Sequence, residues 1–593
     1  MLLATAGLAL VTAAVPAAAQ DGGDASTSST SAPTSTTTPP PEAIAGPVAA
    51  DAGTKGGPLT SALEPLASLG YEEQEVFLSG TATLHGQRGV WRRDGRWSTT
   101  DVGEVPYRTR LLVRRPVDDA DFSGTVFVSW LNVGGGFDSD PEWSQIADEV
   151  VREGAAWVGV TAQSVGVSGL LGARAWDPPR YGSLDLSSDA ASYDVFTRAA
   201  EAVRSPKGVD PLGGVKGERR LIAVGQSQSA QRLVTYANAF QPTTHAFDGF
   251  LLVSRFRGAA PVGRVIVPPS QAVDPDGSEG LPYLPDPLAA LLSGPPAAKV
   301  RDDLDVPVFT VLTETEAVQD RNIARPDDDD HFRTWEVAGA SHADATSTAA
   351  LLGKLRRDFP QVPLGQLECP TPNAFPLRYA LRAAAGALAT WVDKGTAPPI
   401  APPIERDSSG ALVRDGEGNA KGGLRLPEIS VPTARHSGES TGTGYCGLTG
   451  ATVPFSDAQL AKRYPTPEAY VTALNAAIHS AVEAGFLLPG DASELLDVTV
   501  VPGSTATVAA IVASTSGAGT LDREAASEPA KRSSRSASGE ESTVKAASAS
   551  KAEHGWLATT GRDLITPFLA GLLLLLNGRV VLTISRQRRR GAS

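Results

Sequence analysis

Short runs of consecutive apolar residues recur through the middle of the chain, and they restrict its fold more than any other feature. The runs are 108–113, 124–131 (GTVFVSWL), 155–162 (AAWVGVTA), 220–224, 250–253, 306–312 and 334–337. The longest are apolar at nearly every position rather than at alternate ones, so such strands must be covered on both faces. Between the runs lie stretches with helical periodicity over 143–152, 192–203 and 229–238. Strands alternating with helices in this way predict an α/β domain, a mostly parallel central sheet with helices on both faces. Apolar residues make up 41% of the 593, enough to supply the core that such a sheet needs.

The packed region is expected over 58–500, because its flanks cannot pack. Residues 20–57 are mainly Ser, Thr, Pro, Ala and Gly, and residues 514–553 are rich in Ala, Ser, Lys and Glu. Neither stretch holds enough apolar area to offset the entropy of ordering it, so both read as disordered spacers. Ahead of the first, residues 1–19 read as a signal peptide, apolar from Leu2 to Val15 and ending on Ala17-Ala18-Ala19 before Gln20. No Lys or Arg precedes the apolar stretch, so a natural start upstream of Met1 is an expectation here.

At the other end, residues 564–584 are mostly apolar and just long enough to span a bilayer, with Asn577 and Arg579 as interruptions. Arg586 and Arg588-Arg589-Arg590 follow and favour the cytoplasmic side. Directly before the span stands Leu557-Ala558-Thr559-Thr560-Gly561. Motif, apolar span and basic tail in this order resemble the C-terminal sorting signal of Gram-positive surface proteins. The resemblance implies a sortase as partner, cleavage between Thr560 and Gly561, and attachment of Thr560 to peptidoglycan. A protein anchored in the membrane by its C-terminal helix is the alternative.

The net charge of −14 argues against a nucleic-acid partner, since phosphate binding needs clustered Lys and Arg. The two cysteines, Cys369 and Cys446, are expected to form a disulfide, as a pair does in an oxidising compartment. Neither has a His at ligand spacing, so no zinc site is expected, and no other metal or organic cofactor is implied.

Chemistry concentrates at three places. Val224-Gly225-Gln226-Ser227-Gln228-Ser229-Ala230 follows a strand and opens a helix. In a G-x-S-x-G elbow the flanking positions must be small, and the turn exposes the serine at a helix N-terminus that favours a developing anion. Here the last position is Ser229, so the pattern is G-x-S-x-S. The α/β-hydrolase order is serine, then acid, then histidine. Ser227 is followed by the strand 306–312 and Thr313-Glu314-Thr315-Glu316, then by Trp335-Glu336-Val337-Ala338-Gly339-Ala340-Ser341-His342. Glu316 is preferred as the acid, with Glu314 as the alternative, and His342 is the catalytic imidazole among only seven histidines. The strand before Ser227 that ends in Leu131-Asn132-Val133-Gly134-Gly135-Gly136 offers an oxyanion hole, the amides of Val133 and Gly134 acting with that of Gln228.

Wider stretches carry a family resemblance. They are Phe122-Ser123-Gly124-Thr125-Val126, Trp130 to Asp138, Trp176-Asp177-Pro178-Pro179-Arg180-Tyr181-Gly182-Ser183-Leu184, the Ser227 elbow, the Glu314-Thr315-Glu316 turn, Trp335 to Asp344, and Gly485-Phe486-Leu487-Leu488-Pro489. Together they resemble an α/β-hydrolase-domain family of exported bacterial proteins across about residues 60–495. In that family the acid turn generally reads Glu-Thr-Asp, so Glu316 is a departure. The resemblance implies the α/β-hydrolase fold. Residues 255–304, rich in Pro and Gly between two core strands, read as a partial cap, and 366–495 as a C-terminal extension beside the core. Trp176 and Arg180 either line the pocket or hold a loop by a cation–π contact.

The expected function is hydrolysis of a carboxylic ester, a small molecule or a lipid, outside the cell through a Ser-Glu-His triad and an acyl-enzyme. Two alternatives stay open, acyl transfer to an envelope sugar or lipid, and an inactive surface binding module on the same fold.

Overall fold

The computed structural model describes residues 43–508 apart from 257, 264, 267–297, 320–325, 366, 503 and 505–506. The signal stretch 1–19, the spacer 514–553, the segment 557–593 and most of the proposed cap at 255–304 lie outside the described residues. Among the described residues no helix is long and apolar enough to cross a membrane.

A ten-stranded sheet runs through the molecule. Its strands are β1 (Ala43–Ala45), β2 (Tyr71–Arg88), β3 (Ser98–Pro116), β4 (Thr125–Trp130), β5 (Ala156–Val160), β6 (Arg220–Gln226), β7 (Gly249–Val253), β8 (Val265–Ile266), β9 (Val308–Thr313) and β10 (Phe332–Val337). The order is β1-β2-β3-β5-β4-β6-β7-β9-β10, with β8 paired to β2. From β5 to β10 every pairing is parallel, while β1, β2 and β3 form an antiparallel flank joined to β5. β4, β5, β7 and β9 are buried at every position, as their unbroken apolar character requires.

Because side chains alternate across a strand, the two faces of the sheet feed two separate cores. Val126, Val128, Leu221, Ala223, Phe250 and Leu252 pack with the helices Ser192–Arg204 and Gln228–Ala239. Phe127, Ile222, Val224, Leu251, Val253 and Phe309 pack with the helices Trp143–Arg152 and Leu377–Lys394. This is the α/β-hydrolase fold, a mostly parallel sheet covered on both faces.

The flank holds what the apolar pattern concealed. β2 carries Glu73 and Glu75 among its apolar residues, and β3 carries Arg110 and Arg114. These charges pair inside the protein. Glu75 meets Arg110 at 3.1 Å and Arg180 at 2.8 Å, all three with essentially no exposure. Arg114 lies 4.4 Å and 4.3 Å from the ring centres of Trp143 and Trp157 and binds Asp140 at 2.6 Å. Arg180, whose guanidinium also sits 5.6 Å over Tyr181, is therefore a buried tie that holds its loop, and Trp176 donates its indole N–H to the Asp358 carbonyl.

One boundary differs from the sequence reading. Residues 43–57, assigned to the first spacer, run along the sheet edge instead. β1 pairs with β2, the Val48 amide donates to the Glu75 carbonyl, and Asp177 accepts from the Thr54 and Lys55 amides. Backbone pairing and one carboxylate hold a segment that has little apolar area of its own. In the extension 366–495, the helix Leu377–Lys394 forms one layer of the core. The loops after that helix pair at Ile404–Gly422, Arg406–Leu412 and Arg414–Ala420. A two-stranded sheet of β11 (Ala434–Ser437) and β12 (Ala451–Pro454) follows.

Candidate active site

Ser227 is the hinge between β6 and the helix Gln228–Ala239, with φ 61° and ψ −119°. A non-glycine residue here carries strain of about 1–3 kcal/mol, sustained only where the surroundings enforce it. They do so from both sides. The Ser227 amide donates to the Val253 carbonyl at the end of β7, and the Ser227 carbonyl accepts from the Gln231 amide. Gly225 lets the helix sit close to the strand, because a Cβ there would crowd the Ser229 backbone at 3.0 Å. Ser229 is fully buried, and its hydroxyl has no partner among the described residues, so serine fills the last elbow position as a small residue. The Ser227 side chain makes no capping bond to its helix.

β6, β7, β9 and β10 are parallel neighbours, so the turns at their C-terminal ends lie along one edge of the sheet. The turn after β9 opens the short helix Glu314–Gln319, and the one after β10 leads to His342. Gly339 in that second turn has φ 76°, and a Cβ there would meet Ile429 at 2.4 Å, so only glycine suits it.

His342 Nδ1 lies 2.6 Å from Glu316 Oε1. Glu316 is fully buried, and its Oε2 accepts from the Thr313 amide at 2.8 Å and the Thr313 hydroxyl at 2.7 Å. An ionised carboxylate only accepts, so Nδ1 carries the proton and Nε2 presents its lone pair. The imidazole is held further by the Thr315 hydroxyl, which accepts from the His342 amide, and by Phe256, stacked on the ring at 5.2 Å. Gln226, just before the serine, donates through Nε2 to the His342 carbonyl at 3.1 Å, tying the elbow to the histidine turn.

Glu314 faces another way. Its Oε1 accepts from Arg414 at 2.7 Å and from the Ser437 hydroxyl, and its Oε2 from the Gly339 amide. It is committed to the extension and the histidine turn, not to the imidazole. The Cys369–Cys446 disulfide is present. It joins segments that bond to the backbone just after the histidine. The Ala343 amide donates to the Leu448 carbonyl, the Ala345 amide to the Asn373 carbonyl, and the Asn373 amide to the Thr449 carbonyl. Asp344 caps the helix Ala345–Asp358 through the Ser347 amide and also accepts from Gln145, and burial holds its carboxyl above the usual range.

The proposed oxyanion loop is ordered differently from expectation. The Gly134 amide is already taken, donating to Asn132 Oδ1 at 2.7 Å. Val133 and Gln228 keep amides without an acceptor among the described residues. Asn132 and Gln226 were not singled out by sequence reasoning. The one available signal was an Asn two residues before a glycine run, the spacing at which its side chain can accept from a backbone amide in a turn. Among the described residues no cluster of His, Cys, Asp and Glu suits a metal.

No curated protein matches the sequence. Among solved structures, the esterase Est22 is 14% identical, with 42% of this chain and 65% of that one covered and a TM-score of 0.24. This chain thus spans just under two thirds of that esterase. One of two fungal esterases from Rhizomucor miehei is 16% identical, with 53% and 85% covered and a TM-score of 0.25. A thermostable esterase from Pseudomonas putida is 17% identical, with 42% and 67% covered and a TM-score of 0.20. A family model described as an alpha/beta hydrolase domain matches residues 44–497 of the 593, the stretch that holds the elbow and both turns, and the chain therefore belongs to the alpha/beta hydrolase domain family.

Proposed function

We propose that the protein is a serine hydrolase that cleaves carboxylic esters outside the cell. The observation that carries this reading is the contact of His342 Nδ1 with the buried Glu316 carboxylate at 2.6 Å, beside a strained serine elbow on the same sheet edge. Ser227 Oγ attacks the ester carbonyl carbon and passes its proton to His342 Nε2. The carbonyl oxygen becomes the oxyanion and accepts from the Val133 and Gln228 amides. Collapse expels the alcohol, which takes the proton from His342 and leaves an acyl group on Ser227. Water, deprotonated by His342, then repeats the sequence and releases the acid. Glu316 fixes the tautomer and offsets the imidazolium charge. Export by residues 1–19 and sortase attachment through Leu557, Ala558, Thr560 and Gly561 would put this chemistry at the cell wall.

A fluorophosphonate probe should label the wild-type chain at Ser227, and Ser227→Ala should abolish labelling and lower ester turnover more than about a thousandfold. An unlabelled wild type that hydrolyses no short, medium or long acyl ester would leave a binding module in its place. Added alcohol that diverts the acyl group into a new ester would identify an acyltransferase.

A further inference from the structure

Two amides without acceptors, Val133 and Gln228, stand on different elements, one in a loop after β4 and the other on the elbow after β6. A two-amide anion site works only if the spacing between its donors is fixed before charge develops. The elbow is fixed by its strand and helix. The loop is not, because Gly134-Gly135-Gly136 lacks side chains to pack and loses more backbone freedom on ordering than any other run of three residues.

One side chain joins the two. Asn132 Oδ1 accepts from the Gly134 amide at 2.7 Å, and Asn132 Nδ2 donates to the Gln226 carbonyl at 2.8 Å. Its own backbone is pinned by exchanging both hydrogen bonds with Ser139, at 2.8 Å and 2.9 Å. Only 7% of the residue is exposed, so water competes poorly for these bonds. A carboxamide alone among short side chains sets an acceptor and a donor on one carbon. Aspartate would keep the Gly134 bond and turn an oxygen against the Gln226 carbonyl, and alanine would keep neither.

We infer that Asn132 is a positioning residue for the oxyanion site, locking the Val133 loop to the Ser227 elbow. The inference rests on the proposed role of Ser227. A merely structural asparagine would affect stability and leave turnover alone; a positioning one acts on the transition state. In the full chain, Asn132→Ala and Asn132→Asp should therefore lower kcat about ten- to a hundredfold with KM little changed, the loss expected when donors shift by about an ångström. The affinity of a boronic acid, which mimics the tetrahedral intermediate, should fall by the same factor as kcat/KM.

Residue-resolved amide hydrogen exchange supplies a readout independent of turnover. In the wild type the Gly134 amide should be protected relative to Gly135, and in Asn132→Ala that protection should vanish. Wild-type kcat in both variants, with Ser227 still labelled by the fluorophosphonate, overturns this inference and leaves the hydrolase reading intact. Should neither variant fold, a wild-type Gly134 amide that exchanges as fast as that of Gly135 overturns it alone. A wild type that the probe does not label removes the hydrolase reading and the inference together.

Discussion

At the scale of single residues, two glutamates two positions apart have opposite surroundings. Glu316 meets an imidazole and two donors of Thr313, whereas Glu314 meets Arg414, Ser437 and the Gly339 amide. Glu316→Gln should lower kcat by several orders of magnitude while the unfolding midpoint moves little. Glu314→Gln should lower stability by about 1–3 kcal/mol, because it leaves Arg414 without one of its carboxylates, and should change kcat far less. Steady-state kinetics with urea unfolding on both variants would detect the reverse ranking. A third carboxyl reports through pH. Burial, reinforced by Asp140, pushes Glu142 up to about 7, and its Oε2 has no partner among the described residues. The folded state therefore holds a proton that the unfolded state releases near the ordinary glutamate value, so this group's contribution to stability declines as pH rises from about 4.5 to 7. Glu142→Gln, which stays neutral and can still accept from the Ser129 hydroxyl, should gain thermal stability relative to wild type at pH 8 and much less at pH 5. An equal difference at both pH values would refute the assignment.

At the scale of elements, the part of the chain after β10 does more than extend the core. Residues 369–375 and 446–450 form a brace whose backbone bonds grip Ala343 and Ala345, one and three residues after His342, and the disulfide ties the two segments of the brace together. Replacing both cysteines with serine should cost about 2–4 kcal/mol in urea unfolding. It should also lower kcat, because the imidazole turn loses part of its support. Unchanged kcat with lowered stability would restrict the bridge to holding the fold. Strand β2, and its antiparallel pairing with a β3 read only over 108–113, escaped the sequence reading for a related reason. Their glutamates and arginines look like solvent-facing positions along the chain, and only pairing across strands turns Glu75 and Arg110 into core residues.

At the scale of the whole molecule, location would decide which esters are met. The motif at 557–561 stands just before the apolar stretch 564–584 and its basic tail, so Thr560 would face the outside while the tail stays in. Under the sorting proposal the mature protein ends at Thr560, is released by wall-degrading enzymes and resists detergent. Thr560→Ala should shift it to the membrane fraction or the medium. Full detergent extraction of a wild-type protein that still carries Arg586 would identify a membrane-anchored hydrolase instead.

Much of this molecule is written locally. Apolar runs dictate the parallel strands β4 to β7, β9 and β10, since only a sheet covered on both faces buries them. The small residues around Ser227, and the order of serine, acid turn and histidine along the chain, mark the sheet edge at which chemistry is proposed. What tertiary structure alone decided are the matters that depend on partners distant in sequence. Glu316 rather than Glu314 meets His342 because Arg414, a hundred residues further on, takes Glu314. Residues 43–57 are ordered because an open strand edge accepts them. Gly134 yields its amide to Asn132 because the Gln226 carbonyl holds that side chain in place. Periodicity records how much of a segment is buried, but it does not record which group waits on the other side.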